Sequence, residues 1–302
     1  MKARAPGKVV LSGAYAVLEG ARAIVAAVDR YVVADSARSA AFVTPEVEAA
    51  LGLGEKAPFF DASALREGER KLGLGSSAAI VVASLGARLL DAEPGLGAAS
   101  LAERVFPSAL MAHRRAQGGG SGIDVAASAF GGIQVALPVG ETLHLTQVSL
   151  PAGVVVRVLA ASAPASTPEL IRRVHALRAN DPALYGRLMT RQADASERTA
   201  AAVLEGDAGA FVSGLSEQAD ALSALGTASG ADIVTADMAR LLSLARSVGA
   251  VALPAGAGGG DIALWVSENG AEPPANDALR PIALALGAPG LEQMPAFAAA
   301  PQ

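Results

Sequence analysis

The stretch that most constrains this chain is KLGLGSSAA at residues 71–79, which we call the glycine loop. Gly73 and Gly75 allow the backbone to turn tightly and to approach a ligand that a Cβ atom would obstruct. Ser76 or Ser77 is a natural N-cap for the helix-compatible residues that follow. Amides at the start of a helix bind anions, and phosphate is the commonest biological anion of that size. The glycine loop therefore predicts a phosphate-binding site at the start of a helix.

Two known phosphate-binding motifs can be compared with the glycine loop. The letters GLGSSA at 73–78 fit the G-x-G-x-x-G/A dinucleotide fingerprint, and Asp91 and Glu93 lie about 20 residues further on. That fingerprint follows a buried strand, whereas residues 61–71 are mostly polar and charged, so the context argues against it. A Walker A loop is excluded because the chain has no Gly-Lys-Ser/Thr. An ordinary glycine turn that caps a core helix also explains the loop when it is taken alone.

Composition narrows the class of protein. A chain of 302 residues can bury a large core, as one sizeable domain or two modest ones. Hydrophobic residues make up 52% and charged residues 18%, which argues against disorder. Glycine or charged residues interrupt every apolar run before about 18 residues, so no membrane span is expected. The net charge of −5 gives no reason to expect nucleic acid, and the absence of cysteine excludes disulfides and thiolate metal sites.

The N-terminus has some features of a signal peptide, because Lys2 and Arg4 precede apolar residues. Lys8 interrupts that apolar region, and Glu19 ends it without a convincing cleavage site. We therefore expect a cytoplasmic protein.

Hydrophobic patterning predicts a β-rich N-terminal layer before the first helix. Asp29 and Arg30 are expected to break the apolar segment at 23–33 into separate strands, and residues 34–70 predict a strand or two with an exposed connection. The other predicted strands lie at 3–11, 130–137, 154–161 and from Ile262 onward. The predicted helices lie at 77–90, at 99–117, within 169–225 and at 232–248.

Two further glycine-rich segments indicate specialised loops. The letters QGGGSG at 117–122 deliver Asp124 to the start of a helix, where it is either an ordinary N-cap or a functional carboxylate. The letters LPAGAGGGD at 253–261 precede an evident strand, and so many glycines there indicate severe demands on the backbone. Near the N-terminus, Lys8 taken alone fits a solvated strand lysine.

Three segments, in this order along the chain, resemble the sequence motifs of the GHMP kinases. They are APGKVVLSGAYAVLEG at 5–20, the glycine loop and the segment at 253–261. The form AQG…GSGxDVA around Asp124, the ending GGGD and the letters ASTPELI at 165–171 are more similar to phosphomevalonate kinase than to mevalonate kinase, the next most similar family. The chain differs from the family pattern at Ala14, usually acidic, and at Leu253 and Ala255, usually a lysine and a hydroxyl residue.

The resemblance implies an α+β protein with the GHMP kinase fold. An N-terminal, nucleotide-binding half of the ribosomal-S5-like domain 2 type is expected at 1–150. A C-terminal ferredoxin-like α+β half is expected at 151–302.

The resemblance also implies the roles of individual residues. Lys8 and Asp124 are expected to be catalytic: Lys8 would balance developing negative charge, and Asp124 would orient Lys8 and the acceptor first and act as a base second. Ser77 is expected to ligate Mg²⁺, whose usual carboxylate partner has no clear match here. The residues expected to bind ATP are Lys71, Gly73, Leu74, Gly75, Ser76, Ser77, Ala78, Gly256, Gly258 and Gly259. The residues expected to contact the substrate are Tyr15, Ser121, Gly122, Ser166, Thr167 and Ala257. The sequence gives no strong reason to assign catalysis to His113, His144 or His175.

The function implied by the resemblance is ATP-dependent phosphoryl transfer to 5-phosphomevalonate, which gives 5-diphosphomevalonate in the mevalonate pathway. The alternatives are a mevalonate kinase, a GHMP-fold protein that binds without turnover and, more distantly, a dinucleotide-binding oxidoreductase. The expected cofactors are ATP and Mg²⁺. The expected partner is a small phosphorylated substrate, with neither nucleic acid nor membrane, and the chain is expected to be a monomer or a homodimer.

Overall fold

The fold is described from a computed structural model that covers residues 1–161, 167–275 and 278–295, without the side chains of Thr167 and Pro168. In these residues the strands are β1 (Lys2–Ser12), β2 (Ala23–Ser39), β3 (Pro58–Asp61), β4 (Arg66–Glu67), β5 (Arg70–Lys71), β6 (Ile133–Val139), β7 (Thr142–Val148), β8 (Val155–Ala161), β9 (Ala250–Pro254), β10 (Ile262–Ser267), β11 (Leu279–Ile282) and β12 (Glu292–Gln293). The α-helices are α1 (Pro45–Leu51), α2 (Ser76–Ala92), α3 (Ala98–Gln117), α4 (Ile123–Phe130), α5 (Thr167–Asn180), α6 (Pro182–Glu205), α7 (Ala208–Ser229) and α8 (Ala236–Ser247).

The strands form two main sheets and one small hairpin. The larger sheet has the order β12–β1–β2–β6–β7, and β3 also pairs with β2. The smaller sheet has the order β11–β8–β10–β9, and its pairs are antiparallel, with Trp265 opposite both Arg157 and Ala252. Helices α7 and α8 pack on β9, which buries Trp265 against Leu241 and Ala245 of α8. Strands β4 and β5 form the hairpin that leads into the glycine loop.

The chain packs as two compact units that interleave along the sequence. The first unit consists of Met1–Lys8, Ala26–Gly132 and the segment from Ala285 onward. The second unit consists of Val9–Val25 and Ile133–Leu284. The domain boundary after residue 150 stays a prediction, because compact packing units and the domains of a family need not share their limits.

The first unit is built around α2, which is apolar on nearly all sides and is therefore buried. Its residues Ala78, Val81 and Val82 have no exposed surface. Helices α1, α3 and α4 pack on it. A Cβ atom at Gly86 would lie 2.7 Å from Leu291 Cδ1, so glycine lets the C-terminal segment reach the helix. That segment then pairs with β1 through β12.

The second unit contains the long helices α6 and α7, which pack along each other. Each helix begins with an aspartate N-cap, which satisfies an amide of the first turn. Asp181 accepts from Leu184 N at 2.9 Å, and Asp207 accepts from Ala210 N at 2.9 Å. Both helices end at a glycine in the left-handed conformation. In α6 this glycine is Gly206.

The structure corrects two predictions about the N-terminal region. Strand β2 continues through Asp29, because Asp29 N donates to Ala285 O at 3.1 Å and its carboxylate accepts from Ala285 N at 2.8 Å. Helix α1 lies within residues 34–70, for which the sequence predicts a strand or two and an exposed connection but no helix. Thr44 caps it by accepting from Val47 N at 3.4 Å, and Pro45 occupies the first helical position, where a missing N–H is tolerated.

The other predicted elements are confirmed, with ends that differ by a few residues. The helices predicted at 77–90 and 99–117 are α2 and α3, and the region at 169–225 contains α5, α6 and α7. The predicted strands correspond to β1, β6, β8 and β10, so the α+β class is confirmed. In the part of the chain that the structure describes, no helix is long and apolar enough to cross a bilayer.

Two helical glycines test the packing of α6 and α7. A Cβ atom at Gly214 would lie 2.5 Å from Thr199 Oγ1, whereas one at Gly186 would meet no atom within 4 Å. We expect Gly214→Ala to lower the free energy of unfolding by about 1–3 kcal/mol through overpacking. We expect Gly186→Ala to raise it by about 0.5–1 kcal/mol, because alanine favours the helix. Urea denaturation measures both changes, and changes of the same sign would contradict this packing.

Candidate functional site

Lys8 lies in β1, and its backbone and side chain both contact the glycine loop. Its amide donates to Leu74 O at 2.8 Å, and Nζ donates to Gly73 O at 3.4 Å. Gly7 permits this approach, because a Cβ atom there would overlap the side chain of Leu65 and lie 2.8 Å from Leu74 O. The strand therefore holds the lysine against the loop.

The glycine loop alternates buried leucines with glycines in the left-handed backbone region. Leu72 and Leu74 are buried and anchor the loop. Gly73 and Gly75 have φ values of 72° and 76°, in a region that costs other residues about 1–2 kcal/mol. A Cβ atom at Gly75 would also lie 2.9 Å from Lys8 Cγ and 3.0 Å from Lys8 Cε. Gly75 is therefore required by its own backbone and by the lysine beside it.

Helix α2 begins at Ser76, and its N-cap is Gly75. The prediction that Ser76 or Ser77 caps the helix is wrong, because Gly75 takes the left-handed conformation and no side chain forms a capping hydrogen bond. The first helical bond runs from Ala79 N to Gly75 O at 3.1 Å. The amides before Ala79 belong to the helix end that carries partial positive charge. This end can bind an anion such as phosphate.

The C-terminal end of α3 braces the second glycine-rich segment. Arg114 Nε donates to Gly120 O at 3.0 Å, and Arg114 Nη2 donates to Ser121 O at 2.9 Å. Gly122 has a φ of 81°, and a Cβ atom there would overlap the side chain of Leu110. The segment can therefore lie against α3 and deliver α4 at a fixed position.

Asp124 is the second residue of α4, whose N-cap is Gly122. Its Oδ1 accepts from Val125 N at 3.0 Å, and its position in the first turn favours the negative charge of the carboxylate. The side chain is 24% exposed. Further along the helix, Ser128 Oγ donates to Pro6 O at 2.8 Å, which ties α4 to the strand that carries Lys8.

His113 lies between two of the predicted site residues and was not predicted to take part. Its Nε2 lies 3.3 Å from Ser77 Oγ and 3.6 Å from Asp124 Oδ2. The side chain is only 9% exposed. The signal in the sequence that could have pointed to His113 is its place on the buried face of α3, four positions after the buried Ala109. A buried histidine at such a position also fits an ordinary core residue, so the pattern alone does not select it.

The side chains around His113 fit a magnesium ion that a nucleotide brings with it. Mg²⁺ prefers oxygen ligands and is usually bound by one or two protein groups together with substrate phosphates. Ser77 offers a hydroxyl oxygen and Asp124 a carboxylate, beside the helix end suited to phosphate. The described residues contain no cluster of three or more histidine, aspartate or glutamate side chains that could hold a metal ion without such help.

In the second unit, residues 255–261 form the loop that joins β9 to β10. Ala255 N donates to Ile262 O at 3.0 Å and closes the base of the loop. Gly259 N donates to Ile233 O at 3.1 Å. Gly258 has a φ of 85°, and a Cβ atom there would overlap the backbone of Ile233. The glycines therefore allow this loop to lie directly on the segment between α7 and α8.

Tyr15, which belongs to the motif at residues 5–20, holds the same loop. Its hydroxyl donates to Ala257 O at 2.7 Å. Its ring is buried in a cluster that includes Leu170 and Leu222, and burial raises the pKa of Tyr15, so the phenol remains a neutral donor. Among the described residues it is the one non-glycine with a positive φ, at 61°. Burial and the hydrogen bond offset this backbone strain.

Glu19 holds the end of the motif at residues 5–20. Its Oε1 accepts from the hydroxyl of Tyr185 at 2.7 Å and lies 3.3 Å from Arg178 Nη1. Burial and the hydrogen bond to this carboxylate raise the pKa of Tyr185 to about 12. These contacts fix the turn that follows Tyr15 onto α5 and α6.

The predicted site residues fall into two groups, one in each unit. Lys8, the residues at 71–78, Ser121, Gly122 and Asp124 lie in the first unit. Tyr15 and the predicted residues at 256–259 lie in the second unit. Thr167 begins α5, and Ser166 lies outside the described residues. The roles assigned to all these residues stay predictions.

Comparison with known proteins supports the resemblance found in the motifs. No protein-family model matches the chain. The curated phosphomevalonate kinase of Streptomyces sp. (strain CL190) is 29% identical over 329 aligned positions, which cover 85% of this chain and 87% of the relative.

Solved structures establish the fold. The Lin0012 protein from Listeria innocua matches with a TM-score of 0.81 and 21% identity, over 97% of this chain and 100% of that chain. A Streptococcus pneumoniae phosphomevalonate kinase in complex with phosphomevalonate and AMPPNP matches with a TM-score of 0.71 and 19% identity, over 88% of this chain and 92% of that chain. The chain has the GHMP kinase fold. The curated relative confirms the predicted resemblance to phosphomevalonate kinase and supports an ATP-dependent kinase.

The hydrogen bond from Tyr15 to the loop of this GHMP-fold chain can be tested directly. We expect Tyr15→Phe to lower the free energy of unfolding by about 0.5–1.5 kcal/mol, because Ala257 O loses its donor. Tyr31→Phe is the matched control, since the Tyr31 hydroxyl lies 3.4 Å from Pro289 O at an exposed position. Guanidinium denaturation measures both variants. Equal effects of the two substitutions would show that the Tyr15 hydroxyl does not hold the loop.

Proposed function

We propose that the chain is an ATP-dependent kinase of the mevalonate pathway that transfers a phosphoryl group to 5-phosphomevalonate. The observation that carries the proposal is the position of Lys8, held on the glycine loop at the start of α2, in the same compact unit as Asp124. The curated relative is named phosphomevalonate kinase, and a solved structure of the same fold contains phosphomevalonate and AMPPNP. These names support the choice of acceptor.

The glycine loop binds the phosphates of ATP in this proposal. The amides at the start of α2 donate to phosphate oxygens, and the left-handed glycines let the backbone lie close to them. Mg²⁺, when bound, neutralises phosphate charge, with Ser77 Oγ as the protein ligand named by the resemblance. Phosphoryl transfer depends mainly on such positioning and charge balance.

Lys8 supplies a fixed positive charge beside the loop. Its backbone bond to Leu74 and the contact of its side chain with Gly75 limit where the ammonium group can lie. An ammonium in that place balances the negative charge that develops during transfer.

Asp124 orients Lys8 and the acceptor. The acceptor in this proposal is a phosphate group, whose second pKa is about 6, so its oxygens are largely ionised near neutral pH. A strong base is therefore not required, and the carboxylate acts first through its charge and its hydrogen bonds.

A second candidate function is a GHMP-fold protein that binds a nucleotide or an isoprenoid precursor without turnover. It is favoured by Ala14 and Leu253, which are apolar and buried where the resembled family usually has an acidic residue and a lysine. Nucleotide binding without release of ADP, whichever acceptor is added, would favour this function.

A coupled ADP-release assay with ATP and Mg²⁺ tests the proposed function. Mevalonate, 5-phosphomevalonate and homoserine are compared as acceptors. We expect turnover with 5-phosphomevalonate alone. Turnover with mevalonate instead would contradict the proposed acceptor while it kept the kinase assignment.

Substitution of the two catalytic candidates tests the proposed site. We expect Lys8→Met and Asp124→Ala each to lower kcat by at least ~100-fold with folding intact, as expected for lost electrostatic preorganisation. Lys56→Met and Asp194→Ala remove the same charges at exposed positions and serve as controls. Near-normal turnover in both site variants would refute the assignment.

The contact between Gly75 and Lys8 gives a separate prediction. Gly75→Ala and the control Gly206→Ala place a Cβ atom on similar left-handed backbones, with φ values of 76° and 74°. We expect both to lose about 1–2 kcal/mol of unfolding free energy. Only Gly75→Ala should also lower kcat, on the order of 100-fold, because its methyl group displaces Lys8. Equal kcat values for the two variants would show that the glycine does not position the lysine.

A further inference from the structure

One imidazole nitrogen faces the two side chains that the proposed function assigns to the metal and to the acceptor. His113 Nε2 lies within hydrogen-bond distance of Ser77 Oγ, at 3.3 Å, and 3.6 Å from Asp124 Oδ2. Ser77 stands at the start of α2 and Asp124 at the start of α4. His113 therefore contacts residues at the starts of both helices.

The position of His113 is fixed by its surroundings. Helix α3, which carries it, packs on both α2 and α4. The neighbouring Arg114 donates to Gly120 O and Ser121 O, which fastens the segment leading into α4. A side chain that is 9% exposed within this packing has little freedom to change rotamer. The imidazole can thus act as a rigid spacer.

The Asp124 carboxylate oxygen 3.6 Å from Nε2 attracts an N–H and repels a bare nitrogen lone pair, so its charge favours the tautomer that carries the hydrogen on Nε2. A protonated Nε2 can donate to only one lone pair of Ser77 Oγ. The serine oxygen then keeps its other lone pair and its own proton for partners at the start of α2. The same N–H attracts the negative charge of Asp124 and holds the carboxylate near the serine.

We infer that His113 is a positioning residue that donates its Nε2–H to Ser77 Oγ and fixes Ser77 and Asp124 relative to each other. The inference rests on the proposed function for its effect on turnover. The hydrogen on Nε2 and the contact with Ser77 do not depend on which acceptor is used. Groups that orient a ligand of a metal without touching the metal typically contribute about 10–100-fold in affinity or activity.

Two substitutions separate a hydrogen-bonding role from simple packing. His113→Leu removes the donor, whereas His113→Gln keeps an N–H donor on a side chain of similar length. His144→Leu is the control, because His144 is exposed on β7. We expect His113→Leu to lower kcat by about 10–100-fold, with a smaller change in KM for the acceptor. His113→Gln should recover part of that loss, and the control should match the original chain.

Magnesium-dependent nucleotide binding provides a readout that does not need turnover. Calorimetric titration of AMPPNP at a series of Mg²⁺ concentrations gives the half-saturating Mg²⁺ concentration for each variant. We expect this concentration to rise about 10-fold in His113→Leu and less in His113→Gln. If the original chain binds AMPPNP with Mg²⁺ but turns over no acceptor, the proposed function fails while this titration still decides the role of His113.

The ring nitrogens of the unsubstituted chain give a third measurement, which stands even if His113→Leu fails to fold. Histidine ¹⁵N spectra should show a protonated Nε2 on His113, and its signal should shift in Ser77→Ala. An unprotonated Nε2 would overturn the inference. So would wild-type magnesium dependence and kcat in a folded His113→Leu, or a His113→Gln variant that matches His113→Leu in both turnover and thermal stability loss.

Discussion

The candidate site depends on the close approach of strand β1 to the glycine loop. Gly7 and Gly75 make that approach possible, because a Cβ atom at either position would overlap or crowd its neighbours. The amide of Lys8 then bonds to Leu74 O, and the lysine side chain lies along Gly75. A long, flexible lysine is costly to order, by up to about 2 kcal/mol of side-chain entropy. The contacts with the glycine loop order this side chain at one defined place, beside the positive end of α2.

Helix α3 links several of the candidate site residues of the first unit. It packs on both α2 and α4 and presents His113 to Ser77 and Asp124. One residue later, Arg114 holds the glycine-rich segment from which α4 starts. Two helix N-termini are thereby held as neighbours. One is suited to a phosphate, and the other stabilises the carboxylate of Asp124.

In the second unit, the loop at 255–261 is held in a similar way by glycine geometry and by one buried side chain. Gly258 lies directly on Ile233, and Gly259 N donates to Ile233 O. Tyr15 adopts a strained backbone conformation and donates to Ala257 O. A loop so rich in glycine has high conformational entropy when unfolded, so these few contacts have a large effect on its order. Ala14 and Leu253, at which the chain differs from the GHMP kinase sequence pattern, are buried as ordinary apolar residues.

The sequence by itself determined where the chain can bind an anion, because backbone freedom at glycine and the polarity of a helix start are local properties. Gly73, Gly75 and the start of α2 could be predicted for that reason. The serine N-cap could not be judged locally, since the left-handed Gly75, which lies against Lys8, takes the cap position. Likewise, β2 runs on through Asp29 because of Ala285, 256 residues away along the chain. Only the tertiary structure decided that His113 meets Ser77, 36 residues apart, because that contact arises from the packing of α3 on α2 and leaves no local pattern in the sequence.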